Sequence, residues 1–186
     1  MASDPVVDAL AEWAATAERP VVLIDGGSGA GKSTLASRLA VALHAQLVRL
    51  EDIYPGWDGL EAASVAVHRD VLAGPELGWR SWDWTRAEPS DWHPIDPTLP
   101  LVVEGSGSLS RRNRQLATFG IWLELAAGER KSRALTRDGE TYSPHWDRWA
   151  AQEALFAARE HPKELADAVV DVASGRVRRN PPSASA

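Results

Sequence analysis

The run Gly26-Gly27-Ser28-Gly29-Ala30-Gly31-Lys32-Ser33 fits the spacing G-x-x-x-x-G-K-[ST] at every position, and Thr34 follows it. Glycines at this spacing let successive backbone N–H groups converge on phosphate oxygens. A helix starting where the turn ends points its positive end at the same anion. Lys32 then reaches the terminal phosphates, and the Ser33 hydroxyl offers an oxygen ligand to Mg²⁺, a hard cation that keeps several of its own waters. A merely flexible Gly/Ser turn has the same composition, but the flanks argue for an anion cradle. Val21-Val22-Leu23-Ile24 before it reads as a strand buried on both faces, and Lys32 to His44 after it carries Leu35, Leu39 and Leu43 at helical spacing.

Such a cradle serves kinases, ATPases, switches and nucleotide sensors alike, so other side chains must decide. Asp52 follows a second candidate strand, Leu47 to Leu50, and Glu104 ends a third, Leu101 to Val103. In an open parallel sheet the carboxyl ends of the strands face the ligand crevice, which brings both acids toward residue 26. Taken singly, Asp52 is a helix cap and Glu104 a strand-end surface charge. Taken together beside a phosphate turn, they divide the work of phosphoryl transfer. Glu104 completes the magnesium shell begun by Ser33, directly or through water, and Asp52 accepts the proton of an attacking hydroxyl. Arg130, Arg133 and Arg137 recur three and four apart, hence along one helix face. Guanidinium forks bind phosphate oxygens bidentately, and a lid over about 128–145 carrying them would clamp the phosphates and exclude water. The plainer alternative is a solvated basic face flanked by Glu129 and Asp138.

These groups need a scaffold whose strands end together. Two more apolar runs, Ile121 to Leu125 and Ala168 to Val172, bring the candidate strands to five, alternating with amphipathic stretches at 6–18, 60–72, 129–137 and 144–159. The pattern predicts an α/β fold: a five-stranded parallel sheet with helices on both faces, forming one domain over 1–175. Residues 176–186, with two prolines and small polar positions, are expected to be a disordered tail. Trp79, Trp82, Trp84 and Trp92 crowd an insertion at about 75–100 that also holds Pro89, Pro94, Pro97 and Pro100. Indoles argue against disorder there, so the insertion is read as a hairpin or loop over the substrate cleft. Most of its tryptophans glue it to the body, while Trp57 and Trp82 are candidate substrate contacts.

Composition excludes several other classes. The chain has 186 residues and a formal charge of -6, which opposes a phosphate backbone and argues against nucleic acid as partner. It contains no cysteine, which removes disulfide frameworks, thiolate metal sites and cysteine nucleophiles. No apolar window approaches the roughly 18 residues that span a bilayer, and no basic, apolar leader opens the chain, so a cytoplasmic protein with no membrane partner is expected. Nothing in the sequence signals an oligomeric state.

With these residues in view, the chain resembles the P-loop kinase group that includes uridine kinase and phosphoribulokinase. Ile24 to Thr34 is similar to the group's opening turn. Leu50-Glu51-Asp52-Ile53-Tyr54 resembles its aspartate, aromatic, tyrosine block, and Leu101-Val102-Val103-Glu104-Gly105 its strand ending in glutamate and glycine. Arg130, Arg133 and Arg137-Asp138 fall at the spacings of the uridine kinase lid, with Ala134 where another arginine is common. Trp82-Asp83-Trp84 resembles the segment with which uridine kinases hold their nucleoside, although Arg86 comes early and the nearest downstream histidine is His93. The resemblance implies a P-loop NTPase fold of the nucleoside kinase type that uses ATP and Mg²⁺. Gly26 to Thr34 and Arg130 would bind the nucleotide, and Ser33 and Glu104 the metal. Asp52, Lys32, Arg133 and Arg137 would be catalytic, and Asp52, Tyr54, Trp57, Trp82, Asp83 and Arg86 would meet the substrate. The expected acceptor is the hydroxyl of a small molecule, first a nucleoside. A sugar, sugar acid or antibiotic, or a regulatory module without an acceptor, are the alternatives.

Overall fold

The computed structural model describes residues 4–181. In chain order the first elements are α1 (Pro5–Ala14), β1 (Val21–Gly26), α2 (Lys32–Leu43), β2 (Gln46–Arg49) and α3 (Leu60–Ala66). A hairpin of β3 (Gly78–Asp83) and β4 (Glu88–Pro94) follows, then β5 (Leu101–Glu104), α4 (Arg111–Leu116) and β6 (Phe119–Glu124). The chain continues through α5 (Ala127–Tyr142), α6 (Trp146–Glu160), α7 (Pro162–Leu165), β7 (Ala168–Asp171) and β8 (Arg176–Arg179).

The main sheet runs β2-β5-β1-β6-β7-β8. The first five strands are parallel and β8 lies antiparallel to β7. This corrects two expectations at once, because the sheet has six strands and residues 176–179 are one of them. The Asp171 carboxylate makes the turn by accepting from Ala173 N–H, Ser174 N–H and the Ser174 hydroxyl, and Gly175 sits at φ 67°. Val177 then packs against the apolar layer, and the Asn180 amide donates to the carbonyls of Lys163 and Ala166. The remainder of the expected tail, 182–186, lies outside the described residues.

β1 is buried throughout, as its unbroken apolar run requires. Val22 and Ile24 pack with Leu10 of α1 and Leu39 of α2, whereas Val21 and Leu23 face the opposite layer, built on Leu60, Val67, Trp149 and Phe156. Each fully buried Leu or Ile contributes about 1.5–3 kcal/mol. α1 starts where its signals place it, with Asp4 accepting from Val6 and Val7 N–H and Pro5 in the first turn. α3 continues into a wider π-helical turn, Val67–Leu72, so the stretch expected as one helix changes pitch halfway. α5 is interrupted at Gly139, whose φ of 55° and ψ of -134° only glycine adopts without strain. Within the tryptophan-rich insertion β3 pairs antiparallel with β4. The tip of the pair is held by Asp83, which accepts from Thr85 and Arg86 N–H, and Trp79 stacks on His93 at 4.1 Å.

Candidate active site

The phosphate-cradling turn links β1 to α2 at the carboxyl edge of the sheet. Gly29 and Gly31 take φ of 81° and 95°, and Gly31 caps α2 without any side-chain acceptor for the first-turn N–H groups. Those donors point into the cleft, as an anion site demands. Lys32 is nine-tenths buried, and its Nζ donates to Gly26 O (2.8 Å), Gly27 O (3.2 Å) and Ser106 Oγ (3.2 Å).

Glu104 ends β5 beside β1 and is almost fully buried. Burial raises its pKa above the ordinary carboxylate value, against the pull of Lys32, a hydrogen bond from the Ser33 hydroxyl, and Arg49, whose Nε lies 3.9 Å away. The two expected metal ligands are therefore in contact, and both are hard oxygen donors suited to Mg²⁺. Among the described residues no group of three or more His, Asp or Glu side chains converges, so Mg²⁺ held here would complete its shell from phosphate oxygens and water.

Behind the turn, Asp25 is buried with Gly26, Gly107 and Leu109 N–H donating to its carboxylate at 2.7–3.3 Å. Burial raises its pKa from 3.8 to about 6, opposed by those N–H groups and by Lys32. A carboxyl whose pKa is higher folded than unfolded adds stability that is complete below pH 3.8 and is lost as the pH rises through about 6. Asp25→Asn should cost roughly 1–3 kcal/mol at pH 7, because an amide NH₂ cannot accept from Leu109 and Gly107 N–H. Urea unfolding should show the gap between the two proteins widening as the pH falls from about 6 to 3.8, since only the wild type gains from protonation there.

From the turn opens a cleft of about 480 Å³. Its floor is Ser28, Gly29, Gly31 to Thr34 and Glu104 to Ser106. Its far wall is Glu51, Tyr54, Trp57, Trp84, Tyr142 and Trp149, and Arg137 and Thr141 enter from α5. The wall is a continuous aromatic array. Trp57 stacks on His145 (4.2 Å, 12°) and on Tyr142 (5.5 Å, 18°), Trp84 tilts against Trp57 at 5.1 Å, and Tyr54 meets Trp149 edge-on at 4.6 Å. Tyr54 is fixed by donating to Ser106 O (2.8 Å). Burial, with Asp25, Glu104, Glu153 and Glu51 nearby, holds its pKa well above the usual value.

Of the residues singled out in the sequence, Ser28, Gly29, Gly31, Lys32, Ser33, Thr34, Tyr54, Trp57, Glu104 and Arg137 line this one cleft. Gly26 and Gly27 face a second cavity of about 260 Å³ behind the turn, and Ala30 is buried beneath it. Six further residues singled out in the sequence stand outside the cleft lining. Glu51 and Asp52 are both exposed, but of the two only Glu51 lines the cleft. Residues 50–52 form a 3₁₀ turn, and Glu51 within it and Tyr54 just after it both line the cleft. Trp82, Asp83 and Arg86 also stand outside the lining. Asp83 is consumed in the hairpin tip and Arg86 is exposed, while Trp84, in the tip itself, reaches in and donates to Glu51 O (3.1 Å). Arg133 is exposed because its neighbour Ala134 takes the buried position on α5. Arg130 braces the turn from outside, donating to Ser28 O (3.1 Å) and Leu125 O (3.2 Å). Ser106, Thr141, Tyr142 and Trp149 went unmarked by sequence patterns. Of these, only Ser106, two residues after Glu104, had a signal in its position.

A mostly parallel sheet with a phosphate-loop motif after its central strand and an acid ending the neighbouring strand is a P-loop type of α/β fold. By sequence the chain matches no family model and no curated protein. By structure it is similar to a possible uridine kinase from Bacillus stearothermophilus, with a TM-score of 0.63 and 20% identity over 89% of this chain and 97% of that one. It is also similar to a candidate fructose transport system kinase from Silicibacter sp. TM1040, with a TM-score of 0.54 and 17% identity over 93% and 96% of the two chains. At these identities the likeness is one of fold. No described helix is long and apolar enough to cross a membrane.

Proposed function

We propose that the protein is a small-molecule kinase that transfers the terminal phosphoryl group of Mg-ATP to a hydroxyl, with a nucleoside as first acceptor. The observation that carries this reading is the junction of two half-sites in one cleft. The uncapped phosphate loop with Lys32 and the Ser33–Glu104 pair forms one half, and an aromatic wall bearing the single acid Glu51 forms the other.

The loop N–H groups and Lys32 bind the triphosphate, and Ser33 and Glu104 hold Mg²⁺, which when bound neutralises charge on the phosphoryl oxygens. Glu51, in place of Asp52, orients the acceptor hydroxyl and takes its proton. Arg137 supplies positive charge from α5. Aromatic walls fit the flat face of a base or sugar. Among the described residues the cleft lining has two cations, Lys32 and Arg137, and both are assigned here to the phosphates. An anionic acceptor would be desolvated beside Glu51 with no counter-charge, which favours a neutral nucleoside over a sugar acid.

The test is a panel of nucleosides, neutral sugars, sugar acids and aminoglycosides incubated with Mg-ATP and read by product mass. Phosphorylation of a nucleoside supports the reading. Phosphorylation of another acceptor alone rejects the nucleoside, and ATP binding with no acceptor modified favours a regulatory module. Trp57→Ala and Trp84→Ala are each expected to raise acceptor KM about tenfold, or ~1.4 kcal/mol, while leaving nucleotide KM unchanged. Arg86→Ala should change neither constant in steady-state assays.

A further inference from the structure

Glu153 lies on α6, four residues after Trp149, and faces the cavity behind the phosphate loop rather than the cleft. Its Oε1 accepts from Ser28 N–H (2.7 Å), the Ser106 hydroxyl (2.8 Å) and Trp149 Nε1–H (3.1 Å), and Arg130 Nη1 is 3.4 Å from its Oε2. The side chain is 12% exposed. One carboxylate therefore gathers the loop, the segment after β5, the first turn of α5, and α6.

The consequences reach Lys32. The Ser106 hydroxyl has one proton and two acceptors in range, Glu153 at 2.8 Å and Gly26 O at 3.1 Å. The closer, charged acceptor takes it, which leaves the hydroxyl lone pairs for Lys32 Nζ at 3.2 Å. Ser28 is gripped at both backbone polar groups, its N–H by Glu153 and its C=O by Arg130. A glycine-rich loop has little stiffness of its own, so these two contacts fix where the following N–H groups point.

We propose that Glu153 is a positioning residue for phosphoryl transfer. It holds the phosphate loop, Ser106 with Lys32, and Arg130 in the geometry that receives the triphosphate, so that α5 and the loop act as one unit. The inference rests on the kinase reading above. Glutamine keeps the length and one acceptor oxygen but turns an NH₂ group toward Arg130, setting donor against donor. Glu153→Gln is expected to weaken binding of a fluorescent ATP analogue about tenfold and to raise nucleotide KM in proportion, with acceptor KM unchanged. Hydrogen exchange at Ser28 to Gly31 should quicken while the thermal midpoint barely moves. Glu153→Asp, which keeps the charge but is one methylene too short to reach both Ser28 and Arg130, serves as the second variant and should also lose nucleotide affinity. Variants that bind the analogue as the wild type does, or that lose stability with nucleotide affinity intact, overturn the proposal alone. A wild type that binds no ATP analogue overturns the kinase reading and this inference with it.

Discussion

Glu51→Gln is expected to lower kcat about 10³-fold, with ATP affinity nearly unchanged, because the variant keeps the side chain's shape and removes only its ability to take a proton. Glu51 lines the cleft alongside Tyr54, and its carbonyl is anchored by Trp84 Nε1–H, so the position is fixed from the hairpin as well as from its own turn. Asp52→Asn, one residue on and outside the cleft lining, should leave kcat within about twofold. Steady-state assays of both variants, with ATP binding followed by calorimetry, decide the matter. The reverse pattern would return the role of base to Asp52.

The second large effect is expected at Lys32. Lys32→Met should lower kcat/KM by roughly 10²–10³-fold, since it removes a positive charge from a buried site where screening is weak. All three neighbours of Nζ are acceptors, two loop carbonyls and Ser106 Oγ, so the ammonium is held by groups it can exchange for phosphate oxygens. Lys32→Arg should not rescue activity. The planar guanidinium is larger than the space at a nine-tenths-buried position and presents its donors in a different geometry. Calorimetric titration with ATP should show weaker binding in both variants, and a Lys32→Met protein that turned over at the wild-type rate would contradict the assignment.

What was legible in the sequence is what local chemistry dictates. The loop, β1 and α2 follow from glycine spacing and apolar periodicity, and Glu104 follows from its place at a strand end. Asp52 against Glu51 was undecidable from composition, because both are acids at the end of one strand. The choice depends on how a single 3₁₀ turn sets the two neighbouring side chains relative to the cleft. The hairpin was legible as an insertion held by indoles. Which tryptophan enters the cleft was not, since Trp84 sits in the tip, where strand alternation no longer applies. Glu153 and Trp149 lie on a helix with ordinary amphipathic spacing, and their meeting with Ser28 and Tyr54 is set by tertiary packing across more than ninety residues of chain. β8 was missed because arginines and a short Ser-Gly turn read as tail until β7 is there to pair with it.

That last strand also bears on how copies of the protein meet. Arg176, Arg178 and Arg179 are exposed along the sheet's outer margin, and Arg179 leans over Trp13 with its guanidinium 4.9 Å from the ring. A second molecule approaching this margin strand to strand would set arginine against arginine. The arginines of β8 thus form a fence of like charge that resists lateral stitching of sheets into fibres.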